Sequence, residues 1–148
     1  MLIDGFNVAC KNISASYLKV GDESMSVILF WTIEKGDLPK LSYILRKPDP
    51  LGKYFNKVAC SITGDLLLIE VKRGKEGTNH SNYQKDLGST ADCTKRMSEA
   101  TKGMGQKYRK GATNDCLIFD GWFSSKKAVE STMEVGSELI GMVKTNTK

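Results

Sequence analysis

With 148 residues, the chain is long enough for one domain with a packed core, since a domain of this size buries roughly two thirds of the surface that its unfolded chain exposes. Hydrophobic residues make up 40% and charged residues 26%, which excludes the polar composition of a disordered chain. The net charge of +5 is compatible with binding to a polyanion such as DNA, but it does not require it.

Cysteine usage and the amino-terminal sequence indicate the compartment. The four cysteines are widely separated and the single histidine, His80, has no metal-ligand spacing to any of them, which argues against a structural zinc site. Cys10, Cys60 and Cys116 have apolar neighbours, as expected of buried reduced thiols. Neither a signal peptide nor an apolar stretch of membrane-spanning length is present, so we expect an intracellular protein that is not secreted and not embedded in a membrane.

In chain order, the first predicted element is a strand over Tyr17–Met25, with acidic residues at its end. Val27–Ile33 either extends this strand or pairs with it. Glu34–Lys53 contains all three prolines and is predicted to be mostly a connection, with a short edge strand over Ser42–Leu45.

A β-hairpin follows. Its arms are the aliphatic runs Phe55–Ile62 and Leu66–Val71, separated by the turn sequence Thr63-Gly64-Asp65. The run Leu66–Ile69 is apolar throughout, which predicts burial on both faces of a sheet. Gly74–Asp86 is polar and is predicted to be a surface loop.

The second half of the chain alternates helices and strands. A capping-box pattern at Ser89 predicts a helix that Gly103 ends, with an apolar face at Cys93, Met97, Ala100 and Met104. Cys116–Phe119 predicts a buried strand. Ser124 or Ser125 then caps a second helix, whose predicted inner face is Ala128, Val129, Thr132 and Met133 and which ends at Gly136.

A final strand is predicted over Leu139–Val143. The order of strand, hairpin, helix, strand, helix and strand indicates an α/β fold with a mixed sheet. Residues 1–148 show no internal repeat and no second domain, so we expect a single domain.

Two aspartates mark the candidate chemistry, Asp22 and Asp120, because each follows an apolar strand sequence. Carboxylates on neighbouring strand ends can share hard cations such as Mg²⁺ or Mn²⁺, and such ions support phosphoryl transfer. The alternative is structural: Asp22 caps a turn before Ser24, and Asp120 caps the helix that follows it.

The sequences around both aspartates resemble those of piggyBac-type DNA transposases. Tyr17–Met25 resembles the segment around the first catalytic aspartate of that family. Phe119–Ser125, with Gly141–Asn146 after the helix, is similar to the segment around the second. Two segments between them, Arg46–Gly52 and Val71–Glu76, also fit, and the resemblance extends over nearly the whole chain.

This resemblance implies an α/β, RNase H-like mixed sheet with flanking helices, incomplete at its C-terminal end. It also implies that Asp22 and Asp120 are two of three catalytic carboxylates that bind Mg²⁺ or Mn²⁺. The family hydrolyses DNA at the ends of its element and then uses the freed 3′ hydroxyl as a nucleophile. The implied partners are transposon-end and target DNA, with a homodimer left open, and the implied location is the nucleus or another intracellular compartment.

Three departures from the family pattern limit what this chain is expected to do. A basic Gly-Arg that many members carry after the first aspartate is replaced by the apolar run Val27–Trp31, and Gly121 stands where Asn is common. The third catalytic aspartate of the family lies beyond the position of Lys148. We therefore expect the chain alone to be inactive, and the alternative is a decayed or domesticated module that binds DNA or protein without catalysis.

A restriction-type nuclease is a less favoured reading. Asp49 after a proline, followed by Glu70 and Lys72, fits the loose Pro-Asp and Glu-x-Lys pattern of that class. The pattern is common by chance and its aspartate lies in the proline-rich connection, so a solvated strand end at Glu70 and Lys72 is the favoured interpretation.

Basic residues near the second aspartate are candidates for contact with DNA phosphates, namely Lys110, Lys126 and Lys127. A solvated helix end is the competing interpretation. Trp31, Trp122 and Phe123 are predicted to be core or interface residues, and exposure to solvent would instead favour base stacking.

Overall fold

A computed structural model describes residues 2–13, 15–27, 42–43, 45, 51–71, 84–104 and 114–142. The helices are α1 (Leu2–Cys10), α2 (Gln84–Leu87), α3 (Ser89–Thr101) and α4 (Lys126–Glu134). The strands are β1 (Leu18–Val27), β2 (Ser42–Tyr43), β3 (Leu51–Cys60), β4 (Leu66–Val71), β5 (Asp115–Phe119) and β6 (Ser137–Gly141). They form one sheet in the order β2-β3-β1-β5-β6, and β4 also pairs with β3.

Strand β1 is the centre of this mixed sheet. It runs antiparallel to β3, from the pair Lys19↔Cys60 to the pair Val27↔Gly52, and parallel to β5. The parallel ladder begins at Leu18↔Cys116 and ends at Gly21↔Phe119. Because β5 has five residues and β1 has ten, β5 ends halfway along β1. The predicted RNase H-like α/β architecture is therefore confirmed.

The sheet has a covered face and an open face. Buried residues alternate along β3, at Tyr54, Asn56, Val58 and Cys60, as expected of a strand with one face in the core. We call this the covered face, because α3 and α4 pack on it around the core cluster of Val58, Cys93, Met97, Leu117, Phe119 and Phe123. The open face is the opposite one, where Val20, Ile118 and Ile140 occupy one register row and remain partly exposed.

Helix α1 was not predicted from the sequence. The side-chain amide of its Asn7 donates to the Ile69 carbonyl at 2.8 Å and accepts from the Ile69 amide at 2.9 Å. The Asn7 side chain thus satisfies both backbone hydrogen-bonding groups of Ile69, as a neighbouring strand would do at that one position. β4 is an edge strand in which only Leu67 is fully buried, so the prediction that Leu66–Ile69 is buried on both faces was wrong.

The ends of the helices test the predicted caps. Ser125 caps α4 by accepting from the Ala128 amide at 3.2 Å, as predicted. The capping box at Ser89 is wrong: the N-cap of α3 is Gly88, at φ 80°, with no side-chain cap. Gly103 follows α3 at φ 79°, in the left-handed region that favours glycine, and stops the helix as predicted.

Other predictions differ in detail. Ala100 and Met133 were placed on inner helix faces, but both are exposed. Thr94 is buried on α3, and Thr132 is buried on α4 as predicted. The last strand, β6, begins two residues earlier than predicted, at Ser137. All four cysteines are free and buried, as predicted. None of the helices in the described part of the chain is long and apolar enough to cross a membrane.

Candidate metal and DNA-binding site

The structure brings Asp22 and Asp120 to neighbouring positions. Gly21 and Phe119 form the last pair of the parallel ladder, and each aspartate is the next residue along its own chain segment. Neighbouring strands lie about 4.8 Å apart, so the two backbones run side by side up to this pair, and each aspartate follows it directly. Asp22 lies inside β1 rather than at its end, which corrects the sequence reading. The two aspartates follow the same ladder pair because β5 ends at Phe119, whereas β1 continues past Gly21 alongside β3.

A closely packed row of residues lies just before the aspartates. Gly21, Phe119 and Gly141 occupy the same level on β1, β5 and β6. A Cβ on Gly21 would meet the Phe119 ring at 2.0 Å, so the ring occupies the space that any larger residue would need. A Cβ on Gly141 would likewise meet Ser124 Oγ at 1.8 Å. Two glycines therefore let Phe119 and the following turn pack closely under the candidate site.

Each aspartate uses one carboxylate oxygen locally. Asp22 Oδ1 accepts the Glu23 amide at 2.7 Å, and Asp120 Oδ1 accepts the Trp122 amide at 2.9 Å. Asp120 does not cap α4, because Ser125 does so. Both aspartates are exposed to solvent, and neither makes a further hydrogen bond or ion pair within the described residues. A carboxylate has about four acceptor positions, so most of the capacity of both groups remains available.

These two carboxylates fit a hydrated hard cation. Mg²⁺ is commonly bound through one or two carboxylates while it keeps several waters, and exposed oxygens with spare lone pairs meet that need. Within the parts of the chain that the structure describes, no group of three or more His, Cys, Asp or Glu residues is placed to hold a metal ion. Asp22 and Asp120 therefore supply two ligands, and a third protein ligand would have to come from elsewhere.

Lys57 is a neighbour of the site that the sequence analysis missed. It is the direct antiparallel partner of Asp22 and therefore lies on the same open face of the sheet. The alternation of Lys53, Phe55, Lys57 and Ala59 opposite the buried residues of β3 is the signal that could have identified it. Its positive charge beside Asp22 suits a phosphate that approaches the carboxylates.

The structure describes two of the three lysines that were predicted to contact DNA. Lys126 and Lys127 are exposed in the first turn of α4, on the segment that follows Asp120. Lys126 is 3.7 Å from Glu130, and Lys127 donates to the Asp86 carbonyl at 3.0 Å. Both solvent-facing pairings are weak, so either lysine can turn towards a phosphate. Lys110 lies outside the described residues.

Glu70 is not the solvated strand end that the sequence suggested. Arg96 from α3 holds both of its oxygens, at 2.8 and 2.9 Å, and also pairs with Asp92. Burial raises the pKa of Glu70, but the hydrogen bonds and charge of Arg96, helped by Asn56, outweigh it and leave the pKa below its usual value. Glu70 thus lies on the covered face as a structural group, while Asp49 and Lys72 lie outside the described residues.

The same charged groups, above all Glu70, affect the pKa of the Cys93 thiol. Burial, together with the negative charge of Glu70, raises the pKa of Cys93 to about 12. Its thiol donates to Glu70 Oε2 at 3.9 Å, so it stays protonated and is not a nucleophile.

Trp122 and Phe123 take opposite orientations after Asp120. Phe123 is 2% exposed and packs against Phe119 with ring centroids 5.2 Å apart, as predicted for a core residue. Trp122 is 53% exposed, so of the two predicted roles, core or interface, the core role was wrong and the interface role stays a prediction. Trp31 lies outside the described residues.

Comparison with known proteins supports the fold. A cryo-EM structure of a piggyBac transposase synaptic complex with hairpin DNA superimposes with a TM-score of 0.69 at 18% sequence identity. The match covers 98% of this chain and 27% of that transposase, so this chain spans about a quarter of the length of the matched protein. No protein-family model and no curated protein sequence matches the chain. The likeness to piggyBac transposases that the sequence motifs indicated is therefore confirmed for the fold.

Proposed function

We propose that the chain is a transposase-like domain whose Asp22 and Asp120 bind Mg²⁺ or Mn²⁺ at a site for DNA phosphates. The observation that carries this proposal is the register of β1 and β5, which sets the two aspartates side by side, with spare carboxylate oxygens, in a fold like that of a piggyBac transposase. When bound, the ion would neutralise phosphate charge and activate an attacking oxygen.

The protein residues have separate tasks in this proposal. Asp22 and Asp120 hold the cation, and the hydrogen bonds that their Oδ1 atoms accept from the Glu23 and Trp122 amides restrict the rotation of the two carboxylates. Lys57, Lys126 and Lys127 supply positive charge for the DNA backbone on either side of the carboxylates. With two carboxylates the cation is held weakly, and we expect no efficient strand cleavage by this chain alone.

A thermal-unfolding titration with MnCl₂ and MgCl₂ tests the metal site. We expect either ion to raise the Tm of the wild-type chain, since at ten times Kd a bound ligand stabilises the folded state by about 1.4 kcal/mol. Asp22→Asn and Asp120→Asn should each abolish that increase. Glu138→Gln is the matched control, because it removes an exposed carboxylate at the other end of the same open face and should retain the increase.

A non-catalytic binding module is the second candidate. The observation in its favour is that the described residues contain no set of three candidate ligands. If the cations raise the Tm equally in the wild type and in both aspartate variants, the metal site is wrong and this second reading replaces it. Binding of duplex DNA that persists in those variants would then define the remaining activity.

A further inference from the structure

We infer that the outer edge of β6 pairs with β6 of a second copy of this chain, antiparallel and about a two-fold axis at Ile140. This inference does not rest on the proposed metal site. It gives a surface to the homodimer that the family resemblance left open. It starts from a comparison of the two lateral edges of the sheet.

One lateral edge of the sheet offers little backbone to a partner. On that side β3 pairs with β2, which has two residues, and with β4, where the Asn7 side chain satisfies both backbone groups of Ile69. A very short edge strand and a covering element are two ways in which natural proteins prevent an edge from pairing with another chain. This edge is therefore poorly suited to strand addition.

The opposite lateral edge is β6, and it is longer and apolar. β6 has five residues, and in the described part of the chain β5 is the only strand that pairs with it. It contains neither proline nor lysine, two residues that often block an edge. Ile140 is 55% exposed, and Met142, which follows the strand, is 70% exposed. An edge of this kind is a template for another strand.

Symmetry limits the register in which two β6 strands can pair. Directly opposite residues of an antiparallel pair point to the same face, so a two-fold axis perpendicular to the sheet must pass at a residue. An axis at Glu138 would set two carboxylates directly opposite each other, which is unfavourable. An axis at Leu139 would set Glu138 opposite Ile140. An axis at Ile140 sets an exposed isoleucine opposite its own copy.

Ile140 gains the most apolar contact from lying at the axis. Leu139 already packs against the core cluster of its own chain, whereas Ile140 is more than half exposed on the open face. Val20, Ile118 and Ile140 form one register row on that face. An axis at Ile140 joins this row to its copy, so one apolar row crosses the dimer, and such cross-strand pairs stabilise neighbouring strands.

The contact is small, which sets the expected affinity. Pairing along a strand of five residues buries less than the about 800 Å² per partner of a standard interface. We therefore expect a reversible dimer with a Kd on the order of 10–100 µM, as for a weak and transient contact.

Sedimentation velocity of the full chain from about 5 to about 500 µM tests the dimer. We expect the mass to rise towards that of two chains and no further, because a two-fold axis closes the assembly. Ile140→Lys sets two ammonium groups opposite each other and should weaken association at least about tenfold. Ile62→Lys is the matched control, since Ile62 is an exposed isoleucine in the turn between β3 and β4, and it should associate like the wild type.

Cysteine cross-linking tests the register. Directly opposite Cα atoms of an antiparallel pair lie about 4.5–5.5 Å apart, within the range that a disulfide spans. Diamide should therefore couple two Ile140→Cys chains, each thiol losing one proton and one electron to the oxidant. Glu138→Cys is the matched control, because it lies on the same face of β6 but opposes Met142 of the other copy. The four native cysteines are buried, which keeps the background low.

Each outcome decides the inference. A wild type that stays monomeric, association that Ile140→Lys leaves unchanged or that Ile62→Lys weakens equally, and growth beyond two chains would each overturn it. Equal cross-linking of Glu138→Cys and Ile140→Cys would overturn it as well. Far-UV circular dichroism verifies each fold, and if Ile140→Lys does not fold, the cross-linking decides. The metal titration is independent: a dimer without metal stabilisation keeps the edge contact and removes the metal site, and the reverse result does the opposite.

Discussion

The ladder between β1 and β5 has charged residues at both of its ends, and the two ends hold their charges in different ways. At the amino end, Lys19 and Asp115 are 0% and 1% exposed and form an ion pair at 3.1 Å. Lys19 also donates to the Thr101 carbonyl at 2.5 Å, and Asp115 accepts the Gly103 amide at 2.7 Å. At the carboxyl end, Asp22 and Asp120 are exposed and keep spare oxygens.

The contrast separates charges that maintain the fold from charges available for a ligand. The pair at the amino end joins β1 and β5 to the end of α3, and it uses its hydrogen-bonding groups within the protein. The two carboxylates at the other end form no ion pair within the described residues, so most of their acceptor positions remain available to a cation. Pairing and burial thus distinguish the two roles better than position at a strand end does.

Removing one partner of the buried pair should give the largest effect. Asp115→Ala leaves the Lys19 ammonium buried without its counterion, so we expect the free energy of unfolding to fall by about 3–5 kcal/mol. Urea denaturation measures this change. The double variant Lys19→Met with Asp115→Leu should recover most of the loss, and failure to recover would mean that the hydrogen bond from Gly103, rather than the charge pair, holds this end.

Gly21→Ala should weaken the support beneath the aspartates. The new methyl group overlaps the buried Phe119 ring, and overpacking of this kind costs about 1–3 kcal/mol. It should also reduce the Tm increase by Mn²⁺, because Phe119 precedes Asp120 directly. Gly5→Ala is the control, since a Cβ there meets nothing within 4 Å. An unchanged stability of Gly21→Ala would show that the ring can move aside without cost.

Lowering the pH tests the contribution of Glu70 to stability, because this carboxylate pairs with Arg96 on the covered face. Its pKa is lowered in the folded state, so its stabilising contribution is complete above its unfolded pKa of about 4.3 and is lost as the pH falls through the lower folded value. Glu70→Gln should destabilise the protein by about 1–2 kcal/mol at pH 7 and should flatten the loss of stability below about pH 4.5. Unfolding curves from pH 7 to pH 3 measure both effects, and parallel curves for variant and wild type would contradict this role.

The smallest stability effect is expected where the site is proposed. Without metal, Asp22→Asn and Asp120→Asn should each change the free energy of unfolding by less than about 0.5 kcal/mol, because exposed side chains with local contacts contribute little. If the free energy of unfolding falls as much as in Asp115→Ala, the two aspartates stabilise the fold. The two ends of the ladder would then not differ in role.

Local sequence patterns determined much of the architecture. The hairpin of β3 and β4, the strand β5 and the Ser125 cap were predicted because turn residues, apolar runs and side-chain caps act within a few residues of each other. The likeness to piggyBac transposases also came from short motifs around Asp22 and Asp120, and the fold comparison agrees with it.

Tertiary structure alone decided the features that depend on distant residues. No local pattern shows that Lys19 is buried with Asp115, that Asn7 closes the edge of β4, or that Glu70 pairs with Arg96. The prediction from the sequence was the same for Trp122 and Phe123, core or interface, and only the tertiary structure shows that Phe123 is buried and Trp122 is exposed. Local patterns thus specify which elements form, whereas burial and pairing depend on contacts between elements far apart in the chain.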